Sequence, residues 1–363
     1  MPLRMRNALR FVMLVCWLPA ASYASAASIN GVYALQQPGQ LMPAAVLTDP
    51  DVDGVALRYR WDSLEPGEGR FDWSALDTDV SQAQAHGKKV SMIILPGVAT
   101  PNWVYAVGAA KFPVCGATGR MAGNGGNVGT PVPWDPTYLT KWEAFVHALG
   151  DRYGQNPSLV LVKITGIGLY SGEFYLMRGG PCVEQDIANW QRVGFTRRKI
   201  VSAFDSIAAA FAQSFPNSKL AVMIVRGPMP PIDDNGNRLP GSTDIRAVQT
   251  MVMSGIRTYG SRFVVQNNAL SAFWNWELLQ QLRERMGAPI GYQMLWNATD
   301  DPHCRMNHFA TPCDPRAILQ SAINRGLSAG SSYLEIYLQD VENPALRSVI
   351  ADAHSRLTET AAR

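Results

Sequence analysis

Three signatures of common chemistries are missing from this sequence. There is no G-x-S-x-G elbow, and the stretch Gly168–Gly172 (GLYSG) has the wrong spacing, which disfavours a serine hydrolase. There is no H-E-x-x-H, and five histidines in the whole chain disfavour zinc peptidase chemistry. Beyond the N-terminus no apolar run is long enough to span a bilayer. Charge is thin as well: 17% of residues are charged against 47% hydrophobic, a balance that suits a large buried core. Neither a repeat of solenoid period nor a low-complexity tail is present.

The N-terminus has its own pattern. Arg4, Arg6 and Arg10 precede the apolar run Phe11 to Ala21, and Ala24-Ser25-Ala26 offers a small-x-small cleavage site. Residues 1–26 therefore read as a secretory signal peptide, and 27–363 as a single domain exported to the periplasm or beyond. A lipoprotein reading of Cys16 is weakened by the bulky Val15 before it. Without the three leader arginines, the 32 basic residues fall level with the 29 acidic ones. A near-neutral chain gives no electrostatic case for nucleic acid or an anionic membrane as partner.

Four cysteines remain after the leader: Cys115, Cys182, Cys304 and Cys313. An even number in an exported chain points to two disulfides, with three possible connectivities. Cys304 and Cys313 are close enough to staple one loop, which would leave Cys115 with Cys182 to tie two longer ones. A metal set of His303, Cys304, His308 and Cys313 is the alternative, but its spacing matches no common zinc site. No metal and no cofactor is expected.

Short β-branched runs alternate with helical patterns along the chain. The expected strands are Gly31–Leu35, Gly54–Tyr59, Lys89–Leu95, Leu159–Ile164, Leu220–Val225, Phe263–Asn267, Pro289–Leu295 and Ser332–Tyr337. Between them lie helical stretches at Trp73–His86, Pro136–Tyr153, Trp190–Phe215, Ser242–Tyr259, Phe273–Met286 and Pro315–Gly326, with a last helix from Pro344 to Leu357. Gly87 and Gly326 suit helix ends, and Asp135-Pro136 and Asp314-Pro315 suit helix starts. Eight βα units in order predict an α/β fold, a single (β/α)8 TIM barrel with long loops after strands three, four and seven. Barrel enzymes build their sites on such loops.

One segment is more specific. Gly54 to Val104 contains Trp61 at a strand end, then Leu64-Glu65-Pro66, Gly69, Phe71-Asp72-Trp73, Leu76-Asp77, Gly87-Lys-Lys-Val and Thr100-Pro-Asn-Trp-Val104. These residues resemble strands two and three of clan A glycoside hydrolases, in particular the family 42 and family 35 β-galactosidase types. Pro133 to Pro157 is similar to the helix that leads to strand four in the same superfamily. The resemblance implies hydrolysis of O-glycosidic bonds in an oligo- or polysaccharide. Glu65 itself precedes a proline in a turn, so local hydrogen bonding is its expected role.

Glycoside hydrolysis generally uses two carboxyl groups, one to protonate the leaving oxygen and one as nucleophile or base. In clan A the acid/base glutamate lies just after strand four, so the resemblance assigns that role to Glu173. The usual Asn-Glu pair is here Gly172-Glu173. Aromatic neighbours Tyr170, Phe174 and Tyr175 suit an acid catalyst, with Arg178 a candidate partner if the residue is only structural. The other candidate, Glu335, sits in the apolar run Ser331–Leu338 (SSYLEIYL), where strand alternation turns Tyr333, Glu335 and Tyr337 into the barrel. That makes it the expected nucleophile or base, though clan A places its nucleophile after strand seven, where this chain has Gln293. Gln293 leaves open a substrate-assisted route, with an amide orienting an acetamido group.

Arg58 and Arg60 are expected to hold the nucleophilic carboxylate ionised, or to neutralise a merely buried Glu335. Gln266, Asn267 and Asn268, at the exit of strand six, are candidates for forking sugar hydroxyls. Trp61, Trp103 and Trp296 are candidates for stacking on sugar faces, with core packing the alternative. Asp340 and Glu342 read as exposed capping acids. Against hydrolysis stands a barrel that binds carbohydrate without cleaving it, favoured by Gly172 and Gln293. Oligomeric state carries no signature in the sequence.

Overall fold

The computed structural model describes residues 28–115, 129–170, 172–177, 179–225, 229–274 and 277–361. The expected leader, Cys16 and Arg178 lie outside them. In chain order the strands are β1 (Gly31–Leu35), β2 (Gly54–Arg60), β3 (Lys89–Leu95), β4 (Lys111–Pro113), β5 (Gly129–Pro131), β6 (Leu159–Ile164), β7 (Lys219–Ile224), β8 (Phe263–Leu270), β9 (Ile290–Met294) and β10 (Tyr333–Tyr337). Eight of them close a parallel barrel in the order β1-β10-β9-β8-β7-β6-β3-β2. The α/β barrel expected from the βα rhythm is present. Its fourth, seventh and eighth strands are β6, β9 and β10.

The barrel strands are apolar because helices cover them outside and side chains fill them inside. Inside, two large rings close the N-terminal end. Tyr33 and Tyr333 meet edge to face at 5.6 Å. Glycines on neighbouring strands make room for them: a Cβ at Gly291 would lie 2.2 Å from the Tyr333 ring, and one at Gly54 would lie 2.5 Å from Tyr33. Outside, Trp61 packs against Trp142, Tyr138 and Phe145 from the helix Pro136–Tyr153.

Three expectations about elements change. The single helix expected from Trp190 to Phe215 is two helices, Val183–Arg192 and Arg197–Ser214. Gly194 takes a left-handed φ of 72°, and the Thr196 side chain then accepts from the Lys199 amide to start the second helix. Gly326 does not end its helix, which runs to Ser328; it sits inside, where a Cβ would press on Leu270 and Leu334. The loop after β3 is not plain loop either, because β4 and β5 pair in it as an antiparallel hairpin.

Both disulfides join the expected partners. Cys115 bonds Cys182 with Cα atoms 5.7 Å apart, tying the hairpin to the loop after β6. Cys304 bonds Cys313 at 5.6 Å within the loop after β9. These bonds remove the thiolates that the alternative metal set would have needed. Among the described residues no helix is long and apolar enough to cross a membrane.

The Asp135 cap is checkable. Its carboxylate accepts from the Tyr138 amide at 2.9 Å, so Asp135→Ala should lower stability by about 1 kcal/mol. Guanidinium unfolding measures it; an unchanged midpoint would show that this cap contributes nothing.

Candidate active site

The C-terminal ends of the barrel strands surround a cavity of about 910 Å³, the size of a small-ligand cleft. Arg58 and Arg60 reach it from β2, Leu95 from β3 and Tyr337 from β10. Tyr170 comes from the loop after β6, and Trp296, Asn297 and Asp300 from the loop after β9. Tyr170, Trp296 and Tyr337 are flat apolar surfaces, and arginine and amide groups stand between them. A sugar, with apolar ring faces and a polar rim, suits such a lining.

The two arginines are held by local partners. Arg58 donates through Nε to the Gln36 carbonyl at 2.5 Å and through Nη2 to Gln37 Oε1 at 3.2 Å. Gln36 is itself anchored by the buried Asp79, which also accepts from the Tyr59 hydroxyl and the Met42 amide. Arg60 pairs with Asp62 at 2.5 Å. Neither arginine is the cation that compensates Glu335, so that expectation is corrected.

The cation is Lys163 on β6, across the barrel from β10. Its ammonium lies 2.8 Å from Glu335 Oε1, and both side chains are wholly enclosed. Burial pulls Lys163 below its ordinary pKa, and the Glu335 charge pulls it partly back. Lys163 also donates to Gln266 Oε1 and to the Tyr333 hydroxyl, which uses its three protons. Glu335 accepts further from Ser91 Oγ at 3.3 Å and from Gln266 Nε2 at 2.9 Å. A carboxylate with these partners and no exposure does not reach a sugar in the cavity. The nucleophile role expected of Glu335 therefore meets a steric obstacle: the carboxylate lies below Tyr337, in the packed interior.

Glu173 is placed differently. Gly172 takes a left-handed φ of 84° and packs so closely that a Cβ would lie 2.8 Å from Met223 and 2.9 Å from Thr165. The turn leaves Glu173 half-buried at the C-terminal face. Its Oε1 accepts from Asn268 Nδ2 at 2.9 Å. Asn268 Oδ1 in turn accepts from Gln266 Nε2 at 2.7 Å, the same amide that donates to Glu335. Two amide side chains thus connect the two carboxylates. Tyr337 lies between them: burial raises its hydroxyl pKa, Arg58 opposes the rise, and Glu173 and Glu335 add to it.

The remaining candidates divide. Gln266 and Asn268 face inward and form the connection, whereas Asn267 faces outward and donates to the Ile224 carbonyl at 3.0 Å. Tyr333 is sealed in the interior. Trp61 is core, and Trp103 is half-buried and bonds the Glu65 carbonyl at 3.0 Å. Trp296 alone of the three tryptophans lines the cavity. Gln293 occupies the seventh-strand position and approaches the Tyr337 hydroxyl at 3.4 Å. Glu65 has the expected local role, accepting from Trp61 Nε1 and the Gly69 amide.

Asp340 is no exposed cap. It is fully buried and accepts from the Ala298 and Thr299 amides, each at 2.8 Å, and from Thr299 Oγ1 at 2.7 Å. Burial raises its pKa, and those bonds oppose the rise. The residue pins the loop that carries Trp296, Asn297 and Asp300. Lys163 was missed from the sequence, and Asp340 was named there but with the wrong exposure. For Lys163 a signal existed, a lone charge in Leu159–Ile164 like the one in β10; for Asp340 there was none.

Comparison with known proteins agrees with this architecture. Residues 45–166 match the family model described as β-galactosidase, glycoside hydrolase family 42. No curated protein matches the chain. Among solved structures, the catalytic domain of β-amylase from Paenibacillus polymyxa is similar at 11% identity and a TM-score of 0.59, covering 92% of this chain and 99% of that one. The β-galactosidase from the psychrophilic Marinomonas ef1 is similar at 11% identity and a TM-score of 0.55, covering 92% of this chain, which spans 60% of that one. The family match runs from before β2 to just past β6, so it includes Arg58, Trp61 and Lys163 and ends before Glu173. With the closed barrel, it shows that this third of the chain is similar to a glycoside-hydrolase family and that the fold is the one such enzymes share.

The ion pair gives a direct test. Lys163→Met removes the cation from a fully buried carboxyl and should lower stability by about 3–5 kcal/mol. Lys163→Met with Glu335→Leu should restore most of the loss in denaturant unfolding. A single variant as stable as wild type would show that the pair carries no such burden.

Proposed function

We propose that this protein is a glycosidase that cleaves an O-glycosidic bond of an oligo- or polysaccharide seated in the cavity, with Glu173 as the general acid/base. The observation that carries the proposal is the connection Glu173–Asn268–Gln266–Glu335, which orients a half-buried carboxyl near Tyr337, a residue of the cavity wall that does not include Glu173 itself. Glu335, paired with Lys163, then acts as a positioning residue through the two amides. It is not carried forward as the nucleophile, because reaching a sugar would require it to abandon Lys163, Ser91 and Gln266. The cavity lining holds another carboxylate in Asp300, a candidate base for a water on the opposite face of the sugar. The expected leader and the two disulfides support action outside the cytoplasm.

A second reading has its own observations. A sealed Glu335 and an amide at Gln293 suit a barrel that binds carbohydrate without breaking it. Turnover distinguishes the two. Glu173→Gln removes the proton donor and should lower kcat on glycosides with poor leaving groups by roughly 10²–10⁴-fold. Activated aryl glycosides, which need less protonation, should lose less. Wild-type rates for Glu173→Gln on every substrate would remove Glu173 from the chemistry. A wild-type protein that binds oligosaccharide but hydrolyses nothing in a broad panel would replace the hydrolase reading with the binding one.

A further inference from the structure

The connections after β8 and β9 together present apolar rings to solvent for which the cavity has no use. Phe309 is 67% exposed and Phe273 is 56% exposed, whereas most large apolar side chains of this protein are sealed in its core. The His308 imidazole stacks on Phe273 with centroids 4.3 Å apart and planes 11° apart, and Phe309 follows at 6.1 Å from His308. These rings are not loose ends. Cys304 bonds Cys313 across the loop, and the Phe309 amide donates to the Cys304 carbonyl at 2.8 Å. Cys304, His308 and Phe309 all take left-handed φ values of 51°, 52° and 63°, which are unfavourable for bulky side chains. Such a backbone persists where surrounding structure enforces it, and it is a recurrent feature of binding sites.

The strip is continuous with the cavity. Trp296, on the cavity wall, carries the Arg305 guanidinium 3.6 Å over its ring. Its amide approaches the Met306 sulfur at 3.4 Å. The Met306 carbonyl then accepts from Ala272 at 2.9 Å, next to Phe273. Met306 is buried and holds this turn to Ala272 from beneath, so the exposed path from Trp296 runs by Arg305 along the same turn to His308, stacked on Phe273, and to Phe309. Arg305 and His308 are the side chains along it with hydrogen-bonding nitrogens.

We propose that Phe273, His308 and Phe309 form a remote glycan subsite, which takes the part of a polysaccharide chain that leaves the cavity past Trp296. The proposal rests on the carbohydrate reading of the cavity. A pyranose ring has a C–H face that is apolar and a hydroxyl rim that is not. Stacking on a ring removes the first from water and leaves the second to solvent or to nearby donors. Two exposed phenyl rings with a coplanar imidazole on one of them suit successive sugars of a chain, whereas a monosaccharide in the cavity would touch neither.

The test uses the full protein and the double variant Phe273→Ala/Phe309→Ala, whose side chains are exposed and outside the catalytic machinery. Affinity electrophoresis through gels cast with soluble starch, β-1,4-galactan or mixed-linkage β-glucan reads polymer binding. Aryl-glycoside kcat/KM reads the cavity alone. Wild type should be retarded by at least one glycan, and the variant's affinity for it should fall roughly fivefold or more with aryl-glycoside kcat/KM unchanged. Equal retardation of variant and wild type overturns the subsite, as does absence of retardation by all three glycans. An equal loss of aryl-glycoside turnover also overturns it, because the rings would then be acting on the cavity. A wild type that is retarded through these rings but cleaves no aryl glycoside would sink the Glu173 assignment and leave the subsite standing.

Discussion

A lysine and a glutamate that meet across the barrel axis, with no solvent on either, constrain the interior of this protein. Neither charge is tolerable there alone, and their attraction offsets desolvation only because each remaining proton and lone pair also finds a partner. Tyr333, Gln266 and Ser91 supply those partners from three different strands. The pair thereby sets which side chains face inward on β3, β6, β8 and β10. It also spends the interior on polar contacts at a level where other barrels are filled with aliphatic side chains.

From that level the order propagates upward. Gln266 uses one amide proton on Glu335 and another on Asn268, and Asn268 uses its own amide on Glu173. A half-buried loop carboxyl is thus oriented by a charge in the packed interior. Asp340 works in parallel on the other wall, where a buried carboxylate holds the Ala298 and Thr299 amides and with them the cavity residues Trp296, Asn297 and Asp300. Buried acids here shape the site without entering it. Their energetics are those of structural groups, since partial satisfaction of such a network is worse than none.

The two carboxylates expected to share one reaction are consequently unequal. Glu173 stands half-buried at the face where barrel enzymes act, and Glu335 lies one step deeper, behind Tyr337. The seventh strand, where clan A would place a nucleophile, carries an amide in Gln293. The family match ends before any of these positions. The part of the chain with the clearest family character is therefore the part that builds the barrel wall, and the chemistry depends on segments with a character of their own.

The barrel strands were readable almost residue by residue, because apolar β-branched runs and capping residues are local signals: Lys89–Leu95 and Pro136–Tyr153 begin and end where they were expected. Two helices in place of one at Gly194 also followed local rules, which the apolar pattern on either side had masked. Alternation along β10 correctly turned Glu335 inward, and the two disulfide pairings followed from loop order. What no local pattern contained was the partner of each buried group. Arg58 and Arg60 were near in register but engaged by Gln36, Gln37 and Asp62, while Lys163 came from the opposite side of the ring. The sequence by itself determined the order of the barrel strands and the face each β10 residue presents, since both arise from neighbours in the chain. Only the closed tertiary structure decided which charge meets which, how deep each carboxylate lies and which tryptophan borders the cavity. Those depend on distances between strands that the chain connects only through long loops and helices.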